Sequence, residues 1–436
     1  MSIAVSATLA ANEAIERRRR AGLPVLPLAF GEAGLPVHPA LRERLAAAAG
    51  RNSYGPVAGI TELRQAAAGY WQRRNLPTDP DSTICGPGSK PLLYALALAL
   101  GGDPVLPRPS WVSYAAQARL AGTRPVFVDT VPGQGGVPDP EALVSAVTEA
   151  RRHGRSVRFL VATLPDNPTG TVARPETVER LCAAAGKLDL LIVADEIYRD
   201  LIFDPATPYL SPAEVAPERT IITTALSKNL ALGGWRIGVA RLPGTPYGRD
   251  LRAHLAGVAS EIWSSPAGPV QQVAAYAFGE PEELTNRVRE SRRLHAAVAR
   301  GVAERFAKAG VSVTMPEAGF YSYPDFEPWR ELLSRTYGIG TGAGLRRFLM
   351  EVFGVGVLAG SDFGDHAEAL RLRIATSMLY GESERDRLDA LAAPDPLDLP
   401  WIKASLDRLD QVLEMIYEVR PDPTAGRTSS GTSSLT

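Results

Sequence analysis

The sequence predicts an α/β protein with a mainly parallel sheet. Three observations carry that expectation. The runs Val157–Ala162, Leu190–Ala194 and Thr220–Thr223 are apolar or β-branched at nearly every position instead of alternating, as strands buried on both faces are. Helix-length segments separate them, so strand and helix signals alternate along the chain. At 436 residues the chain also exceeds the size of one compact domain, and two lobes are expected.

In chain order, residues 10–20 read as an amphipathic helix ending in four arginines, Arg17 to Arg20, whose charges suit a helix C-terminus. Leu26–Glu32 is extended and turns at Gly31. A helix from Pro39 to Ala49 follows, then a turn around Tyr54-Gly55-Pro56 and a helix from Ile60 to Arg74. Ile84–Gly86 is a short strand or turn. Behind it Gly88, Ser89 and Lys90 open an apolar helix, and such a helix start turns free N–H groups toward an anion. Strands at Pro104–Leu106, Arg124–Val128 and Val157–Ala162 alternate with helices near 112–121 and 140–153. A helix over 175–188 leads into Leu190–Ala194, and Thr220–Thr223 is the next strand. Beyond a long helix over 282–309, the pattern becomes α+β. Strands are expected at 311–314, 319–323, 355–358 and 369–375, with a helix around 344–353 and a last helix over 401–419. Residues 380–400 interrupt this pattern with proline and aspartate and lengthen the segment before the last helix, and whether they modify the substrate entrance is left open by the sequence. Residues 424–436 are Ser/Thr/Gly-rich and expected to be disordered.

Composition narrows the function. The 45% hydrophobic and 22% charged fractions are those of an ordinary globular protein, and a net charge of −1 gives no footprint for nucleic acid or an anionic membrane. Cys85 and Cys182 form no CxxC pair, and the five histidines lack metal-ligand spacing, so no metal is expected. No signal pattern and no apolar run near ~18 residues is visible, which makes the cytoplasm the expected location.

Three stretches carry chemistry. Leu164-Pro165-Asp166-Asn167-Pro168-Thr169-Gly170 follows a strand, and an asparagine before proline is held extended. Leu190–Ala194 runs straight into Asp195-Glu196-Ile197-Tyr198, a carboxylate at a strand end with a phenol three residues on. Such a carboxylate either caps a helix or meets a cation. Thr220–Thr223 leads to Ser227-Lys228, then Gly233-Gly234-Trp235-Arg236-Ile237-Gly238. A lysine between a strand exit and a glycine-rich turn can lose its charge by burial, as a Schiff-base nucleophile requires.

Together these stretches resemble the fold-type-I pyridoxal-phosphate enzymes, specifically the class I/II aminotransferases, from about Leu26 to Ser377. The resemblance implies a large domain with a seven-stranded, mostly parallel sheet (46–290) and a small α+β domain from both ends (1–45 and 291–423). It implies pyridoxal 5′-phosphate on Lys228 as a Schiff base, with Lys228 then moving the proton. Asp195 pairs with the ring nitrogen, Tyr198 and Asn167 bind the ring oxygen, and Trp111 stacks on the ring. Gly88, Ser89, Ser227 and Arg236 form the phosphate cup, and Lys90 adds a positive charge near it or points outward. Tyr54 matches the tyrosine that reaches a neighbouring subunit's phosphate, implying a homodimer with shared active sites. Arg373 matches the clamp for the substrate carboxylate, with Arg371 as a competing candidate, and Gly31 lies in the loop closing over substrate. Asn229 stands where many relatives have threonine.

The reaction so implied is transamination between an amino acid and a 2-oxo acid. The same residue set serves other carbanion chemistry in specialised metabolism: β- or γ-elimination or replacement, cyclisation of S-adenosylmethionine, or amino-acid oxidation. A regulator using this fold as a sensor needs a DNA-binding domain that the roughly 25 residues before the first matching segment are too few to form.

Overall fold

The computed structural model describes residues 6–418. Its centre is an eight-stranded sheet made of β1 (Thr83–Gly86), β2 (Asp103–Arg108), β3 (Val126–Val131), β4 (Gln134–Pro138), β5 (Val157–Thr163), β6 (Leu191–Asp195), β7 (Thr220–Ala225) and β8 (Gly238–Arg241). The spatial order is β1-β8-β7-β6-β5-β2-β3-β4. Strands β3, β2, β5, β6 and β7 pair in parallel, while β8 runs antiparallel to both its neighbours. The expected seven strands gain an eighth, β4, which pairs antiparallel with β3 at the sheet's edge. Its sequence, Gln-Gly-Gly-Val-Pro, lacks the β-branched pattern that marks a strand, and a tight hairpin rather than propensity places it.

The apolar strands are covered on both faces. Along β6, Ile192 packs with the helices Pro140–Arg152 and Pro175–Lys187, and Val193 packs on the opposite side with Leu92, Leu251 and Leu255. Successive side chains of a strand point to opposite faces, so a continuous apolar run feeds two cores at once. Ala194 and Ile222 join a third cluster with Leu63, Trp71 and Phe278. Each flanking helix has local reasons to form. In Pro140–Arg152 the carboxylate of Asp139 accepts from the N–H groups of Glu141 and Ala142 at 2.9 and 3.0 Å, Pro140 occupies the first turn, and Arg151 and Arg152 close the last.

A second core gathers Leu26 and Leu28 from the N-terminal segment, Phe326 and Trp329, and Ile402, Leu406 and Leu413 of the last helix. The long helix Glu282–Lys308 belongs to both bodies: Leu284 packs with the large-sheet cluster, and Leu294, Val298 and Phe306 with the second. Here β9 (Tyr321–Ser322), β10 (Leu358–Ala359) and β11 (Leu372–Ala375) form an antiparallel sheet with β11 central. Leu26–Pro27 pairs in parallel with Val355–Gly356.

Several sequence expectations are corrected. Residues 311–314 form no strand, only the bridge Ser312–Asp325, because Ser312 and Thr314 alternate with the valines on a solvent-facing edge. The helix expected around 344–353 splits into Gly342–Phe348 and a wider turn over Leu349–Phe353. Residues 380–400, whose role the sequence left open, pack beside the long helix. They form a helix, Glu384–Ala392, capped by Ser383, and Leu391 accepts from Arg293 of the long helix. The last helix spans Pro400–Glu418. Val419 and the expected tail at 424–436 lie outside the described residues.

Candidate active site

The carboxyl ends of β2, β5, β6 and β7 share one edge of the sheet, where ligands of such folds sit. Trp111 follows β2, Asn167 follows β5, Asp195 ends β6, and Lys228 stands in a single helical turn, Leu226–Asn229, directly after β7. These four, with Gly31, Ser89, Tyr198 and Arg373, line one cavity. It is small, ≈ 80 Å³, and Lys228 reaches across to Gly31 within it. Cavities of ≈ 440 Å³ and ≈ 550 Å³ lie elsewhere, but neither gathers a buried amine, carboxylate and unpaired guanidinium. Chemistry rather than volume therefore identifies the site.

The Lys228 Nζ donates to the carbonyl of Gly31 at 2.5 Å. Burial pushes its pKa down to about 8, and the nearby positive charges of Arg373 and Arg236 act in the same direction against Glu32 and Asp195.

Asp195 is 3% exposed, and burial pushes its pKa up to about 6. Two side-chain donors and the backbone N–H of Ile197 oppose that rise. Tyr114 donates its hydroxyl to Oδ2 at 2.8 Å, and Thr223 donates to Oδ1 at 3.2 Å. Strand register explains the arrangement, since Thr163 on β5, Asp195 on β6 and Thr223 on β7 stand opposite one another. The Tyr114 oxygen also lies 2.9 Å from Thr163 Oγ1, so a phenol whose proton goes to Asp195 accepts from Thr163. Asp195 caps no helix among the described residues, although it accepts from the N–H of Ile197 two residues on.

Tyr198 and Tyr321 face each other, hydroxyl to hydroxyl, at 2.8 Å. Arg373 is 2% exposed, donates to the carbonyl of Ala29, and lies 5.0 Å over the Tyr321 ring and 5.1 Å over that of Phe363. Its Nε has no partner, and no carboxylate pairs with it among the described residues. A buried cation without a counter-ion is an anion site. The competing Arg371 is already engaged, with Asp325 at 2.9 Å and Asp365 at 3.2 Å. Asn167 Oδ1 is likewise buried without a partner.

The sequence 86–89 shapes a second anion site. Gly88, at φ +91°, precedes helix Ser89–Leu100, and a Cβ on it would lie 2.5 Å from Nη2 of Arg236. Only glycine lets that guanidinium approach the helix start, whose first N–H groups lack intrahelical acceptors. Arg236 has φ +54° and donates to the carbonyl of Gly233 at 2.8 Å, and burial lowers its pKa. Ser227 is buried beside Lys228.

Five expected site residues do not line the cavity: Gly88, Ser227, Arg236, Tyr54 and Lys90. Tyr54 is 92% exposed, and Lys90 is exposed with its Nζ 5.0 Å above the ring of Trp111. Asn229 turns away from the cavity and donates to Asp200 at 2.9 Å. Sequence reading missed Thr8, Tyr114, Thr163, Ile197 and Tyr321, all of which line the cavity. Tyr114 stands one helical turn after Trp111, and that spacing could have paired them; the two rings meet edge-on at 5.2 Å. Tyr321 and Arg373 come together only through the pairing of β9 with β11, which no local pattern announces.

The group that the motifs imply fits this donor set. A ring nitrogen would find Asp195, a ring oxygen the Tyr198 hydroxyl and Asn167, a phosphate the Gly88–Ser89 turn with Arg236, and a carboxylate the unpaired Arg373. Comparison with known proteins agrees. The family described as aminotransferase class I and II matches residues 25–380. The aspartate/prephenate aminotransferase of Thermus thermophilus is 33% identical over 378 residues, covering 85% of this chain and 92% of that protein. A probable aspartate/prephenate aminotransferase of Thermus aquaticus is 35% identical over 342 residues, or 75% and 84% of the two chains. The solved structure of the Thermus thermophilus aspartate aminotransferase with maleate superposes with a TM-score of 0.78 at 29% identity, covering 94% and 97%. The buried lysine, the buried carboxylate of Asp195 and the unpaired guanidinium of Arg373 thus stand in a chain that belongs to the class I and II aminotransferases, pyridoxal-phosphate enzymes that exchange an amino group between an amino acid and a 2-oxo acid.

Proposed function

We propose that Lys228 is the cofactor's attachment point and the proton carrier of this aminotransferase, and that its preferred amino donor is an acidic amino acid. The observation that carries the first part is the buried amine, whose pKa is pushed down to about 8. An amine near neutrality can act as a nucleophile, and one titrating close to working pH can both take and return a proton. Pyridoxal 5′-phosphate, when bound, supplies the electron sink for the substrate's Cα–H bond. Asp195 keeps a negative charge beneath the ring nitrogen, supported by Tyr114 and Thr223. Tyr198 and Asn167 hold the ring oxygen, Trp111 the ring face, and Gly88, Ser89, Ser227 and Arg236 the phosphate. Arg373 takes the α-carboxylate through its unpaired Nε edge, with Gly31 closing above it.

The acidic donor rests on two supports: the names of the Thermus relatives and the position of Lys90. Its ammonium stands 5.0 Å from the ring of Trp111, and Trp111 lines the cavity. A side-chain carboxylate of a substrate anchored by Arg373 would find that charge. Tyr54, a phenol 92% exposed in the single chain, supports a homodimer in which it reaches the other subunit's phosphate site. The division into a large domain (46–290) and a small one (1–45 and 291–423) draws support from the separate cores that the long helix joins, although Leu41 packs with the large-sheet cluster and argues for an earlier N-terminal boundary. No helix among the described residues is long and apolar enough to cross a membrane, and a cytoplasmic location is the corresponding proposal.

Borohydride reduction of the loaded protein followed by peptide mass spectrometry tests the first part, and the adduct is expected on Lys228. Steady-state turnover with 2-oxoglutarate tests the second. Aspartate is expected to outpace alanine and phenylalanine, and Lys90→Met to raise KM for aspartate while leaving alanine unchanged. An adduct elsewhere, or equal losses for aspartate and alanine, would overturn the respective part.

A further inference from the structure

The hydroxyls of Tyr198 and Tyr321 are 2.8 Å apart, and each phenol has one proton to give. Within the hydrogen bonds recorded for the described residues, neither hydroxyl has another partner. Tyr321 cannot swing away. It is 1% exposed, and its ring lies 4.7 Å from that of Phe320 and 5.5 Å from that of Tyr198. The Arg373 guanidinium covers it at 5.0 Å, and a Cβ on Gly31 would come within 2.7 Å of its hydroxyl. The backbone pairing Tyr321–Ala375 fixes the strand it stands on. We propose that Tyr321 is a positioning residue for the transamination reaction: its hydroxyl donates to that of Tyr198, and so directs and strengthens the hydrogen bond that Tyr198 gives to the cofactor's ring oxygen.

The argument is one of proton counting, and it rests on the role given above to Tyr198. Once Tyr198 commits its single proton to the ring oxygen, its own oxygen can only accept, and Tyr321 is the hydroxyl within reach. A donor whose oxygen accepts a hydrogen bond is polarised and donates more strongly, by about 10–30% per bond. A stronger donor at the ring oxygen stabilises negative charge there, so the loaded chromophore gives up its proton at lower pH.

The test is a spectrophotometric pH titration of the loaded protein and of the variants Tyr321→Phe, Tyr198→Phe and the double variant. Tyr321→Phe keeps the ring, its stacking and the arginine above it, and removes only the hydroxyl. Its midpoint is expected to rise by roughly 0.2–0.6 pH unit, a fraction of the larger rise in Tyr198→Phe. The double variant is expected to titrate like Tyr198→Phe alone, because Tyr321 acts through Tyr198. Replacing Tyr321 by 3-fluorotyrosine, a more acidic phenol, is expected to move the midpoint the opposite way. An unchanged midpoint in Tyr321→Phe, or a double variant shifted beyond Tyr198→Phe, overturns the proposal while leaving Tyr198's role standing. If Tyr198→Phe itself shifts nothing, that role fails and takes this proposal with it.

Discussion

Tyr114 donates its hydroxyl to Oδ2 of Asp195 at 2.8 Å, and this phenol is the shorter of the two side-chain donors that hold a buried carboxylate ionised. Burial alone drives Asp195 toward protonation, and its pKa stands at about 6 even with both donors in place. A hydrogen bond to a charged group contributes about 1.5–3 kcal/mol, so Tyr114→Phe should raise that pKa by about 1–2 units. The charged form is then lost at higher pH. The acid limb of the kcat–pH profile is expected to move upward, with turnover near pH 7 falling about two- to tenfold. Thr223→Val, which removes the 3.2 Å contact, should shift the limb less.

How far such a network is legible in sequence depends on what creates it. Asp195, Asn167 and Lys228 were readable because each follows an apolar strand, and strand ends in a parallel sheet converge on one edge by topology. Tyr114 and Tyr321 were not. Tyr114 sits on a helix whose neighbours look like ordinary packing, and its contact with Asp195 spans 81 positions in the chain. Arg371 and Arg373, two apart on the same side of a strand, were separable only through the acids that other segments bring to Arg371. Strand β4 was invisible for a related reason: a hairpin and an edge place it, and Gly-Gly carries no strand propensity. The strand expected at 311–314 failed the other way, since local alternation cannot supply a partner strand.

Lys228 ties reactivity to stability. Its amine titrates at about 8 in the cofactor-free protein instead of 10.5, so the folded state binds that proton more weakly than the unfolded chain. The resulting penalty is full below pH 8, shrinks between pH 8 and 10.5, and is absent above. Lys228→Met should therefore stabilise the cofactor-free protein, by on the order of 3 kcal/mol near pH 6–7 at most, less the lost hydrogen bond to Gly31. Thermal denaturation of both forms from pH 6 to 10.5 checks this. A gain that does not fade as pH rises would contradict the sign.

Gly88→Ala should weaken cofactor binding more than folding. The new Cβ would meet Arg236 Nη2 at 2.5 Å from a backbone at φ +91°. Displacing the guanidinium removes a charge-assisted contact to phosphate, expected to raise the Kd for pyridoxal 5′-phosphate about 10–100-fold. Fluorescence titration of the cofactor-free variant measures it. Inorganic phosphate should compete with the cofactor less well in the variant than in the parent.

Arg373 and Arg371 should separate cleanly, because one guanidinium is unpaired and the other is neutralised. Arg373→Ala removes the free cation that lines the cavity, and kcat/KM for amino acids is expected to fall at least about 100-fold, mostly through KM. Arg373→Lys keeps the charge but loses the planar fork, and should recover only part of that loss. Arg371 faces Asp325 and Asp365 with its side chain 38% exposed, so screening limits its contribution. Arg371→Ala should lower Tm by about 1–2 °C and leave kcat/KM within about twofold. Steady-state kinetics and thermal melts on the three variants check the assignment. If Arg371→Ala carried the loss in KM, the carboxylate would be binding in the separate cavity that Arg371 lines with Asp325 and Asp365, and the cavity around Lys228 would need another occupant.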